Sequence, residues 1–103
     1  MNIFSASILS LLLLSGHALA NVEMKQEWQY TTSPFEISFA AYRGELKAQG
    51  IPGYQSFCQG YHWGQINERD VALAAANAGL LTQEEAVDPG FWGYLRFKIL
   101  GLC

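Results

Sequence analysis

Four helix-start signals fall within the 57 residues from Ser33 to Pro89, and they constrain the fold more than any other feature of this sequence. Ser33-Pro34-Phe35-Glu36 offers an N-cap serine, proline at the first helical position and glutamate at N3. Ile66, Asn67, Asp70 and Val71 fall at N′, N-cap, N3 and N4 of another helix, a hydrophobic staple around a capping-box variant. Thr82-Gln83-Glu84-Glu85 is a further capping box, and Asp88-Pro89 a capped start with proline at N1. Starts this closely spaced leave room only for short helices joined by tight turns. No segment alternates apolar and polar residues at the period of a strand.

The predicted fold class is all-α: a compact array of four short helices, plus one short turn of helix, after a cleaved signal peptide. The first helix runs from Pro34 towards a stop at Gly50 and Pro52, with Phe35, Phe39, Tyr42 and Leu46 as its apolar stripe; Gly44 weakens its last turn. The second runs from Pro52 or Gly53 to about Trp63, with Tyr54, Phe57, Cys58 and Tyr61 on one face and Gly64 at its end. The third spans Glu68 to Ala78, with Val71, Ala74, Ala75 and Ala78 facing a neighbour and Gly79 as the stop. After the short turn at Thr82, the last helix runs from Pro89 to about Leu100, with Trp92, Leu95, Ile99 and Leu102 along one side.

The front of the chain reads differently. Ile8 to Leu14 is an apolar run, Ser15-Gly16-His17 breaks it, and Ala18-Leu19-Ala20 has the small-x-small form of an export-signal cleavage site. We therefore expect a signal peptide over residues 1–20, an irregular leader over 21–32 lying against the domain, and a helical domain over 33–103. The run lacks a preceding Lys or Arg, so an uncleaved anchor stays open, although the run is short beside the ~20 residues needed to span a bilayer. Export implies a periplasmic or secreted protein.

Charge narrows the partners. Nine acidic and six basic side chains, all beyond residue 20, leave a net charge of −3, with no basic cluster to grip a phosphate backbone, so no nucleic-acid partner is expected. Export also permits a disulfide between Cys58 and Cys103, the two cysteines. Closing that loop of about 45 residues is worth about 4 kcal/mol in the chain-entropy model. Free thiols or a bridge between two molecules remain alternatives.

Cys58 and His62 stand four apart, one helical turn, and could form the nucleophile pair of a thiol-dependent enzyme or redox protein. Such a pair needs an exposed thiolate and a third group holding the imidazole, and spacing supplies neither. Beyond residue 20 the chain has one histidine and two cysteines, without metal-ligand spacing. Glu84, Glu85 and Asp88 could be imagined as a hydrolytic carboxylate set, but each lies in a first helical turn, where capping and the helix dipole account for it. No catalytic, metal or cofactor residues are assigned.

The aromatic residues are harder to place. Phe91, Trp92, Tyr94 and Phe97 are spread round the last helix, and one core cannot enclose them all. Phe91, Tyr94 and Phe97 are the candidate interaction surface, with Trp92 expected to be buried. The leader, through Trp28 and Tyr30, can cover part of it. The rest would meet a partner protein, a second copy of the chain, a membrane surface near Arg96 and Lys98, or an apolar ligand. The expected function is a small exported non-enzymatic helical module acting by protein association or binding.

The stretch from Gly50 to Leu102 resembles a set of small exported helical proteins of cyanobacteria. The likeness rests on Gly50-Ile51-Pro52 and Tyr54 at a helix start, Gly64, Ile66, Asp70 and Val71 at a turn, then Leu81, and Tyr94-Leu95 before the C-terminus. It implies export and a helical fold, and no particular activity. Phe91-Trp92-Gly93 and the two cysteines depart from that pattern.

Overall fold

The structure is a computed structural model that describes residues 25–103; the expected signal peptide, residues 1–20, and the start of the leader lie outside the described residues. A 3-10 turn at Glu27–Gln29 precedes five α-helices: α1 Pro34–Tyr42, α2 Tyr54–His62, α3 Glu68–Asn77, α4 Gln83–Ala86 and α5 Pro89–Leu102. No strand occurs among the described residues. Helix α1 sits centrally, packed on α2, α3 and most extensively α5, while α3 also packs on α4 and α5.

The starts form where the caps stand. Ser33 Oγ accepts the Glu36 amide at 3.2 Å. Asn67 and Asp70 exchange side-chain-to-backbone bonds at 2.9 and 3.0 Å, and Thr82 and Glu85 do so at 2.9 and 3.0 Å. Each bond satisfies an amide that the first turn leaves without an intrahelical partner.

Helix ends depend on glycine. Past α1, Gly44 takes φ +81°, its amide donates to Ala41 O at 3.1 Å and the Glu45 amide to Ala40 O at 2.9 Å, which is a Schellman end. The same bonds close α2 at Gly64 and α3 at Gly79. Helix α1 therefore stops at Tyr42, well short of the expected end near Gly50, and a 3-10 turn at Lys47–Gln49 carries the chain on. Gly44 also meets Gly53 backbone to backbone: a Cβ on Gly53 would lie 2.7 Å from the Gly44 Cα, so only glycine fits there.

The core corrects the expected face of α1. Pro34, Ile37, Ser38, Ala40 and Ala41 are buried, whereas Phe35 is 52% exposed and Phe39 and Tyr42 are half-buried. Apart from Pro34 and Ile37, the residues facing inward are small, because α1 is enclosed by three neighbouring helices and the side towards them must admit close approach. The rings outside pack on one another, Phe35 edge-on to Phe39 at 4.8 Å and Tyr42 edge-on to Tyr54 at 5.5 Å. In α2, Phe57 and Gly60 are the buried residues and Tyr54 is exposed; in α3, Val71, Ala72, Ala74, Ala75 and Ala76 are buried, while Ala78, expected inside, is the exposed cap.

Candidate interaction face on the last helix

Helix α5 begins at Asp88, whose Oδ1 accepts the Gly90 amide at 2.9 Å. Its buried stripe is Phe91, Leu95 and Ile99, all with no solvent exposure. The expected stripe through Trp92, Leu95, Ile99 and Leu102 is thus turned by about one residue: Trp92 and Leu102 are half-buried. Phe91, proposed from the sequence as part of an interaction surface, is core.

The leader seals one flank of α5. Tyr30 lies edge-on to Phe91 at 4.8 Å and to Tyr94 at 6.4 Å, and its hydroxyl donates to Asp88 Oδ2 at 2.7 Å. Tyr94 donates to the Lys25 carbonyl at 3.0 Å, and Lys98 pairs with Glu27 at 3.3 Å. Tyr94 is therefore half-covered, and the covering ring is Tyr30, while Trp28 stays 77% exposed. Burial, then the hydrogen bond to Asp88, push the Tyr30 hydroxyl well above the ordinary tyrosine range, so it remains a donor.

Glu85 anchors the same leader. Its carboxylate accepts the Thr82 amide at 2.9 Å and the Thr31 amide at 2.8 Å, with Lys25 Nζ at 3.8 Å, and Thr32 Oγ1 donates to Leu80 O at 2.6 Å. Burial alone would raise the Glu85 pKa; the amides of Thr82 and Thr31, with Lys25, outweigh it and lower the value. Such a group stabilises the fold above the unfolded carboxylate pKa of about 4.3 and loses that contribution as pH falls through the depressed folded value. We predict that urea midpoints measured from neutral to acid pH fall below about pH 4, and that Glu85→Gln is weaker at neutral pH with a shallower acid decline. Parallel acid declines would assign the acid sensitivity elsewhere.

The other flank is held by α3 and α4, with Tyr61 of α2 bracing Glu68. Trp92 Nε1 donates to Ala86 O at 2.9 Å, and the Arg69 guanidinium lies over the Trp92 ring at 4.8 Å. Arg96 Nε reaches Glu68 Oε2 at 3.4 Å, and the Tyr61 hydroxyl donates to the same oxygen. Burial and the bond to Glu68 push Tyr61 up to about 12. For Glu68, burial acts upward, but the bond from Tyr61, its own backbone amide and Arg96 carry the net shift down.

Between the flanks, one strip of α5 has no cover: Gly93, Phe97, Leu100 and Gly101, spaced i, i+4, i+7 and i+8. Phe97 is 75% and Leu100 52% exposed, and no neighbouring atom approaches the space a Cβ would take at either glycine. A shallow hollow bounded by Glu68, Trp92, Gly93, Arg96 and Phe97 runs along its edge. Of the three residues named from the sequence, Phe97 is the one on this strip; Leu100, Arg69 and Arg96 belong beside it. Leu100 is legible as i+3 from Phe97, whereas Arg69, from another helix, leaves no local signal.

Cys58 and Cys103 are bonded, their sulfurs 2.05 Å and Cα atoms 5.3 Å apart, which ties the end of α5 to the middle of α2. His62 Nε2 lies 3.4 Å from the Cys103 carbonyl oxygen. An open hollow of about 250 Å³ adjoins them, lined by Gln55, Cys58, Gln59, His62 and Trp63. A larger groove, about 530 Å³, lies elsewhere, along Phe35, Phe39, Ala40 and Leu80 with Glu36 and Arg43 also lining it. Among the described residues no three His, Cys, Asp or Glu side chains are grouped to hold a metal ion, and no helix is long and apolar enough to cross a membrane. The chain matches no known protein-family model, no curated protein and no solved structure.

Proposed function

We propose that this protein is a small exported helical module that works by association, with the outer strip of α5 as its contact. The observation that carries the reading is the contrast within one helix: Phe91, Leu95 and Ile99 are sealed, while Phe97 stands 75% exposed and Leu100 52% exposed beside it. A large ring left in water on an otherwise well-packed helix is what a contact residue requires. Export is supported by the apolar run Ile8 to Leu14 with Ala18-Leu19-Ala20 after it.

The test compares association of the wild-type chain with that of Phe97→Ala, by sedimentation over a concentration series and by chemical cross-linking in the native compartment. We expect Phe97→Ala to weaken association about tenfold or more, with the unfolding midpoint unchanged. Unaltered association in a folded variant would remove α5 from this role.

A thiol-dependent or redox reading, with Cys58 and His62, draws on the open hollow beside the bridge. It requires a reactive Cys58 in the folded protein. Fast stoichiometric labelling of native oxidised protein at Cys58 would favour it over the association module.

A further inference from the structure

We infer that the outer face of α5 docks on an anionic lipid surface, with Phe97 and Leu100 entering the acyl boundary and Arg69, Arg96 and Lys98 meeting headgroup phosphates. The inference rests on the association reading above and names its partner.

Charge is the first argument. The chain is net negative, yet three of its six Lys and Arg residues flank this strip, and α5 itself contains Arg96 and Lys98 without any Asp or Glu. Of the two carboxylates that pair with them, Glu68 sits deeper than Arg96, and Glu27 is about as exposed as Lys98. The Glu68 side chain is 15% exposed and held inward by Tyr61, while its partner Arg96 is 65% exposed. Glu27 and Lys98 are 38% and 33% exposed. Arg69 is exposed and rests on Trp92, which holds its guanidinium beside the strip. A face that gathers cations on an acidic protein complements an anionic surface.

Shape is the second. Gly93 and Gly101 lie one turn to either side of Phe97, with nothing in the space a Cβ would fill, so Phe97 and Leu100 stand proud of a ridge. A protruding ring needs a matching pocket on a protein partner, whereas a lipid surface yields to it without one. Aromatic and leucine side chains projecting between basic residues, on a helix too short to span, are the pattern of an interfacial helix lying in the membrane plane.

The test is co-sedimentation of the whole chain, at low ionic strength, with vesicles of phosphatidylglycerol and phosphatidylcholine in equal parts and with vesicles of phosphatidylcholine alone. Wild type and variants share residues 1–24, so any contribution of the apolar N-terminal run is common to all. We expect binding to the anionic vesicles only, weakened by added salt. Phe97→Ala should lower the partition coefficient about tenfold, and Arg69→Gln and Arg96→Gln about fivefold each. Phe35→Ala, an exposed ring on α1 in a groove that includes no residue of α5, should bind as wild type. Thermal unfolding of every variant establishes that the compared proteins are folded. Equal binding to both vesicles, or full binding by folded Phe97→Ala, would overturn the inference. Absence of vesicle binding alongside Phe97-dependent protein association would overturn the lipid assignment and leave the association reading standing; absence of both would remove both.

Discussion

Replacing Cys58 and Cys103 together by alanine lowers the free energy of unfolding by about 4 kcal/mol, since the bridge closes a loop between residues 45 apart. That loop contains α3, α4 and α5 entire, so its loss frees much of the helical domain in the unfolded ensemble. A domain this small is stabilised by about 5–15 kcal/mol at most in ordinary cases, and the bridge is a large share of it. Urea denaturation with and without reductant reads the loss, and single Cys103→Ala should come close to the double replacement. Electrophoresis without reductant should show a monomer. A dimer band that reductant removes would show that the sulfurs pair between chains and sink the intramolecular account.

Phe91→Ala is the second large effect, at about 3–5 kcal/mol. The ring has no exposure, and its removal leaves a void beneath Tyr30, which lies edge-on to it at 4.8 Å. Loss of that support also loosens the leader, whose Tyr30 hydroxyl is bound to Asp88. Phe97→Ala, six residues on and exposed, should stay within about 0.5 kcal/mol of wild type. Chemical denaturation of the two variants side by side checks the contrast. Equal large losses would mean that the outer strip of α5 is core, and the association and lipid readings would fall with it.

Local sequence carries the helix boundaries because caps act within four residues. Ser33, Asn67, Thr82 and Asp88 bind amides two or three positions ahead, and nothing distant alters that geometry. Gly64 and Gly79 are stops for the same reason. The same rule explains the misplaced end of α1: Gly44, read as a weak point inside a longer helix, takes the left-handed conformation and ends it. Both roles suit glycine, and the choice between them follows from the close meeting with Gly53.

The rotational phase of a helix is a different matter, since burial is decided by what lies opposite. Phe35, Phe39 and Tyr42 form a regular stripe on α1, yet Ile37, Ala40 and Ala41 are enclosed, because α2, α3 and α5 surround that side and leave no room there for rings. On α5, Leu95 and Ile99 fit a stripe with Phe91 or one with Trp92 equally well. The tie is broken by Tyr30, from a leader without periodicity, and by the Ala86 carbonyl that takes the Trp92 indole. The amino-acid sequence by itself therefore determined where helices begin, where most of them end, and that Cys58 and Cys103 could be joined. Which aromatic rings are core and which face water was decided only when α1, α5 and the leader came together, because burial belongs to pairs of surfaces and a cap belongs to one turn of chain.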